Sequence, residues 1–456
     1  MNFVSTRDND CNKVAASKAI AAGPAPDGGL YVPCAFPELT GFIGKTYNDI
    51  AFEILKLYLT DFDENELKEY VHSAYNNCLP VAVNGNYIEL FHGKTSAFKD
   101  VALQIFPYLL TASLKKQNIK QTAVILTATS GDTGSAVLAG IKNIPNMRAI
   151  VFYPVDGVSN IQKLQMTTQE GNNLNVFGIK GNFDDAQRAV KEVFADEKLR
   201  NEYAERYILT SANSINLGRL LPQIVYYFYS YSQSVSARAI SEGEAVNYVV
   251  PAGNFGNILA GYYAKKMGLP VNMLICATNS NNVLYDFIKT GVYNKNREFF
   301  TTFSPSMDIL VSSNLERLIF DVGGCQTVVK AYKTLETAGE FSIDKLIPGF
   351  DAEFVTDTET INTIKEIYRT NKYIADPHTA VAKCAYEKYK TRTGDRTYTM
   401  ILSTASPYKF PETVAKALGD VLDNPPQNLK SLDDKPVLHG EITDDIKKTI
   451  KNILQG

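Results

Sequence analysis

Across 456 residues no apolar run approaches the ~18 needed for a helix to span a bilayer, so no segment reads as a membrane span. No two of the six cysteines have C-x-x-C spacing, which leaves zinc-ribbon and thioredoxin-type chemistry without support. Cys11, Cys34, Cys78, Cys276, Cys325 and Cys384 stand singly, and reduced thiols are expected. There are four histidines, His72, His92, His378 and His439, too few and too scattered for a multi-histidine centre, so no metal is expected. The net charge of −3 provides no basic field, and nucleic acid is not an expected partner. The opening residues, Met1 to Arg7, lack the charged start and apolar stretch of a signal peptide, and a cytoplasmic location is expected.

What is present is ordinary globular material, 45% hydrophobic and 21% charged, enough for two or three domains. Short β-rich runs alternate with amphipathic stretches. Strands are expected at 122–128, 149–153, 174–179, 207–210, 246–250, 271–277 and 398–404. Helices are expected at 48–59, from 135, at 158–169 and 184–196, up to 231, up to 266, and at 411–418. This pattern predicts an α/β fold with two parallel or mixed sheets flanked by helices. The expected division is an N-terminal segment over 1–90, a small α/β domain over 91–210 and a large one over 211–456. Weak alternation over 280–370 suggests no chemistry of its own there. The aromatic run Tyr226-Tyr-Phe-Tyr-Ser-Tyr231 lies in a helix and reads as core packing.

Lys99 is the residue that suggests chemistry. It follows Ala97 and Phe98 and precedes Asp100 and Val101, poor surroundings for a solvent lysine. Desolvation disfavours the ammonium and makes such an amine a nucleophile toward aldehydes. Two glycine-rich turns follow, each after an apolar strand and before a helix. Gly253-Asn-Phe-Gly-Asn257 can cradle a phosphate on backbone N–H groups, with Asn254 and Asn257 as further donors. Ser130-Gly-Asp-Thr-Gly134 is dense in hydroxyls. It reads as a carboxylate or phosphate site, as a helix cap through Ser130 or Asp132, or as both. An amine with two anion cradles implies a Schiff-base cofactor bearing a phosphate, pyridoxal 5'-phosphate.

The same residues resemble a family. Glu89-Leu-Phe-His-Gly-Lys-Thr-Ser-Ala-Phe-Lys-Asp100, Ser130-Gly-Asp-Thr-Gly-Ser135, Gln165-Met-Thr-Thr168 and Asn213-Ser-Ile-Asn216 are similar to segments of the threonine synthases. So are Gly253-Asn-Phe-Gly-Asn257, Ser304-Pro-Ser-Met-Asp308, Asp376-Pro-His-Thr-Ala-Val381 and Leu402-Ser-Thr-Ala405. Ser5-Thr-Arg7 and Ala25-Pro-Asp-Gly-Gly-Leu-Tyr-Val32 extend the likeness to the N-terminus. The motifs run in order along the chain and resemble the longer bacterial and fungal branch.

The resemblance implies a fold type II pyridoxal phosphate enzyme, a lyase that makes L-threonine and phosphate from O-phospho-L-homoserine and water. It implies that Lys99 carries the cofactor and then takes the substrate α-proton. It implies that Gly253, Asn254, Phe255, Gly256 and Asn257 hold the cofactor phosphate. Thr404 matches the residue at the pyridine nitrogen, where a hydroxyl leaves that nitrogen largely neutral. Candidates for the substrate anions are Ser130, Gly131, Asp132 and Thr133, with Lys94, Asn213, Ser214, Asn216 and Arg219 behind them. The chain departs from the family at Asp8 in place of Gly, at Lys94-Thr-Ser96 in place of Pro-Thr-Leu, and at Ser406 in place of His. A monomer or homodimer is expected. The alternatives are a related phospholyase yielding 2-oxobutyrate, another fold type II activity such as a dehydratase, and a non-catalytic cofactor-binding protein.

Overall fold

The computed structural model describes residues 1–344, 348–419 and 422–455. Two sheets organise it. The larger has six strands in the order Phe350–Phe354, Val271–Thr278, Val246–Pro251, Thr399–Ser403, Tyr87–Glu89 and Ala82–Asn84. All neighbours are parallel except the last pair. The smaller runs Glu441–Thr443, Leu174–Ile179, Met147–Pro154, Thr122–Ala128 and Tyr207–Ser211, parallel throughout. A three-stranded antiparallel sheet, Val14–Ala15, Asn2–Ser5 and Tyr31–Pro33, makes up part of the N-terminal segment. This is the expected α/β architecture. The sheets draw on segments from across the expected domain spans: strands at 82–89 join the larger sheet and 441–443 closes the smaller one.

The buried strands look as a parallel sheet requires. Thr122–Ala128 is buried on both faces except at Thr122, which fits its continuous apolar run. The helix Leu217–Ser236 buries Tyr226, Tyr227 and Phe228 completely, so the aromatic run is core. The Tyr227 hydroxyl donates to the Asn257 carbonyl at 2.7 Å, and Tyr248 donates to the Tyr227 carbonyl at 2.9 Å. A Cβ at Gly261 would lie 2.8 Å from the Tyr227 ring, so glycine there lets the two helices close.

The N-terminal segment is tied to the rest by charge. Arg7 forks onto Glu316 at 3.0 and 2.8 Å, and Thr6 donates to the same carboxylate at 2.5 Å. Next in the chain, fully buried Arg317 donates to the carbonyls of Tyr31 at 2.9 Å and Ile215 at 2.6 Å. One arginine thus ties the N-terminal sheet to the loop after strand Tyr207–Ser211.

Strand order sets where chemistry can happen. Ligands of open parallel sheets bind beyond the carboxyl ends of the strands. Strands Val246–Pro251, Thr399–Ser403 and Tyr87–Glu89 lie near one another and end toward the same side. Their continuations carry residues 253–257, Thr404 and Lys99.

Candidate active site

Two segments are stitched together at the floor of the cleft. Ala97 and Ala405 form an antiparallel bridge. Phe98 N–H donates to the Thr404 carbonyl at 2.8 Å, and Ser406 N–H to the Ser96 carbonyl at 3.0 Å. Lys99, the first residue of helix Lys99–Leu103, is thereby held beside Thr404, and both line the cleft. The cleft spans about 720 Å³ with its open mouth included.

The Lys99 amine sits 4.0 Å from the centre of the Phe98 ring and forms no hydrogen bond among the described residues. Burial lowers its pKa most, and the positive charges of Arg219 and Lys409 lower it further against the pull of Asp132. The result is about 7. The neutral amine therefore dominates above pH 7. We expect apoenzyme to take up pyridoxal phosphate faster as pH rises through about 7 and to level off above it. Stopped-flow absorbance checks this; a limb centred near the ordinary lysine value of ~10.4 would contradict it.

The loop after strand Val246–Pro251 turns sharply into helix Gly256–Lys266. Phe255 has φ 64°, left-handed backbone that a bulky residue rarely adopts. Its ring is fully buried and stacks on Phe350. Phe255 itself does not line the cleft. The N–H groups of Asn254, Phe255, Gly256 and Asn257 have no protein acceptor among the described residues. The Asn257 amide is not the expected donor to a ligand. It donates to the Pro251 carbonyl at 2.8 Å, and its oxygen accepts Ile258 N–H, so it props the turn. Gly253 lies against the Ser306 carbonyl, where a Cβ would stand at 2.9 Å.

The second loop is capped by neither Ser130 nor Asp132. Thr129 Oγ1 accepts the N–H groups of Gly131 at 2.9 Å and Gly134 at 2.8 Å. Ser130 and Thr133 line the cleft. Gly131, at φ 117°, packs against Gln162, leaving no room for a Cβ. Asp132 does not line the cleft, and Gln162 Nε2 donates to it at 2.9 Å. Burial alone would raise its carboxyl, but the charge and hydrogen bond of Lys409, with the Gln162 bond, hold it at about 2.

Beyond strand Tyr207–Ser211, Asn213 and Ser214 reach the cleft. Arg219, on helix Leu217–Ser236, does too. It is buried, pairs with no carboxylate among the described residues, and burial lowers it to about 10. Arg219 Nη1 donates to the Ala212 carbonyl, but Nε has no partner. Asn213 Oδ1 and Gln223 Oε1 are likewise buried without partners. Unmet buried polar atoms cost about 1–3 kcal/mol each, so a polar ligand is the natural complement of this wall. Five expected residues do not line the cleft: Gly131, Asp132 and Phe255, with Lys94 and Asn216. Lys94 is exposed and does not line the cleft. Asn216 caps its helix at Gly218 N–H and donates to the Ile20 and Ser211 carbonyls, which uses up its side chain.

Residues with no expected role also appear. Ser306 and Met307 line the cleft from within 280–370, a stretch expected to have no chemistry. Buried His378 lines it as well. Its Nδ1 donates to Asp376 at 2.8 Å, and its Nε2 accepts Ser306 N–H at 3.2 Å, so these partners assign the proton to Nδ1. A depressed amine, a row of free N–H groups and a hydroxyl at Thr404 fit pyridoxal phosphate.

Comparison with known proteins agrees. The model of the pyridoxal-phosphate dependent enzymes matches residues 88–404, that of the threonine synthase N terminus residues 2–75, and that of the threonine synthase C-terminal region residues 379–453. The chain is 37% identical to threonine synthase of Saccharomyces cerevisiae over 94% of this chain and 93% of that one. It is 40% identical to human threonine synthase-like 1 over 91% of this chain and 60% of that longer protein. The crystal structure of a PLP-bound threonine synthase from Brucella melitensis superposes with a TM-score of 0.88 at 34% identity, covering 100% of this chain and 99% of that one.

Proposed function

The chain belongs to the threonine synthases, pyridoxal-phosphate-dependent lyases of fold type II, and from that premise we propose that its cleft converts O-phospho-L-homoserine and water to L-threonine and phosphate. The observation that carries this reading is the meeting of Lys99 and Thr404 across the Ala97–Ala405 bridge, with Gly253, Asn254, Gly256 and Asn257 lining the same cleft.

When bound, pyridoxal phosphate supplies an aldehyde that captures amines and a ring that withdraws electrons from the substrate's α-carbon. Lys99 Nζ would hold the cofactor, and the freed amine would take the proton from the α-carbon beside it. The N–H groups of Asn254, Phe255, Gly256 and Asn257 would hold its phosphate on the helix N-terminus. Thr404 Oγ1 would face the ring nitrogen. Ser130, Thr133, Asn213, Ser214 and Arg219 would receive the substrate's phosphate and carboxylate. The decisive experiment supplies O-phosphohomoserine to holoenzyme and identifies the products. Threonine with phosphate supports the assignment; 2-oxobutyrate with phosphate would overturn it.

Thr404→Asp tests the hydroxyl. A carboxylate would favour a protonated ring nitrogen. The absorbance of the bound cofactor should shift and kcat should fall at least about tenfold, the scale of a 1.4 kcal/mol change in barrier. An unchanged spectrum with unchanged kcat would remove Thr404 from the ring.

A further inference from the structure

Lys409 is fully buried, yet it lies outside the cleft wall. It ends the short turn Pro407–Lys409 that follows Thr404. Its ammonium reaches Asp132 Oδ1 at 2.6 Å and donates to the Thr95 carbonyl at 3.0 Å. Gln162 donates to the same Asp132 oxygen, and Ser306 Oγ donates to the other at 3.3 Å. A dry ion pair is weak evidence for stability, because desolvating two charges offsets most of their attraction.

Position supplies another reason. Asp132 stands between Ser130 and Thr133, in the loop that faces the cleft. An uncompensated carboxylate there would repel an arriving phosphate or carboxylate through a poorly screened medium. With Lys409 against it, the pair is neutral, and the loop residues that line the cleft are the hydroxyl-bearing Ser130 and Thr133. Both oxygens of Asp132 are also held, Oδ1 by Lys409 and Gln162 and Oδ2 by Ser306. We propose that Lys409 is a positioning residue for the anionic substrate, one that cancels and anchors the Asp132 carboxylate so that the Ser130–Thr133 loop can accept an anion. The inference rests on that loop being the substrate-anion site.

The two ends of the pair come from different sheets. Asp132 heads a helix of the smaller sheet, and Lys409 follows a strand of the larger. Thr95, the third partner, donates its N–H and its hydroxyl to the Asp100 carboxylate at 2.7 and 2.9 Å, and Asp100 adjoins Lys99. The pair therefore sets the loop relative to the residue that carries the chemistry.

The test compares steady-state kinetics of holoenzyme for Lys409→Met, Asp132→Asn and the double variant, with inorganic phosphate as a competing anion. Lys409→Met should raise KM for O-phosphohomoserine at least about tenfold and lower kcat less, a repulsion of the size two near charges exert. Lys409→Met leaves a buried carboxylate unpaired and can fail to fold, so the other two variants carry the test independently. The double variant, neutral throughout, should return KM toward the parent value. Asp132→Asn should bind inorganic phosphate at least as tightly as the parent. A folded double variant with KM as high as Lys409→Met, or an Asp132→Asn protein that binds phosphate more weakly, would overturn the proposal. Ser130→Ala separates the two layers. Raised KM there with unchanged KM in Lys409→Met overturns this inference alone; unchanged KM in both overturns the loop assignment as well.

Discussion

Lys99→Ala should reduce turnover by at least about 10³-fold, since it removes both the covalent anchor and the base. The protein should still fold. The Lys99 amine makes no hydrogen bond among the described residues, and it lies 4.0 Å from the centre of the neighbouring Phe98 ring. Removing it abolishes a desolvated amine and relieves repulsion from Arg219 and Lys409, both of which oppose its charge. The expected signature is an unchanged or raised Tm together with loss of the absorbance that a lysine-bound cofactor gives. Free pyridoxal phosphate could still sit on the N–H row of 254–257, so dialysis should strip it more easily than from the parent. Retention of the bound-cofactor spectrum in the variant would refute the assignment of Lys99.

Arg219→Met should have the second largest effect, and on binding rather than chemistry. Arg219 is a buried cation with no carboxylate partner and an unmet Nε in the cleft wall. Losing a buried charged hydrogen bond to an anion costs about 2–5 kcal/mol, a factor of roughly 30 to several thousand. KM for O-phosphohomoserine should rise by that order while the cofactor spectrum is retained. Arg219 also holds the Ala212 carbonyl, one residue before Asn213. Arg219→Lys serves as the control, because it keeps the charge and should lose less KM than Arg219→Met. If cofactor affinity fell and KM did not move, Arg219 would belong to the cofactor and not the substrate.

Much of the fold could be read before the structure because its central strands are continuous apolar runs. Residues 122–128 and 174–179 form strands over the spans expected. The edges could not be read. Phe350–Phe354 contains Asp351 and Glu353, and Ala82–Asn84 and Glu441–Thr443 are three residues each. Such segments become strands through their neighbours, and local pattern does not announce them. Helix starts also shifted: the helix expected from 135 begins at Asp132, because Thr129 caps it from outside.

The site divides in the same way. Lys99 and the 253–257 turn stood out through local contrast. Asparagine suits anion donors, helix caps and turn props alike, so residue type alone does not separate a ligand donor from the cap at Asn216 or the prop at Asn257. Lys409, a lysine between Tyr408 and Phe410, has the same local pattern as Lys99 but no glycine-rich turn beside it. Its role depends on Asp132, which lies 277 residues away in sequence. His378 and Ser306 become cleft residues only when two separate segments fold against each other.

The most direct measurement is reduction of the holoenzyme with borohydride, followed by proteolysis and peptide mapping by mass spectrometry. The account predicts the reduced cofactor on the peptide that contains Lys99 and on no other. A label on a different lysine, or none despite a bound-cofactor spectrum, would contradict it.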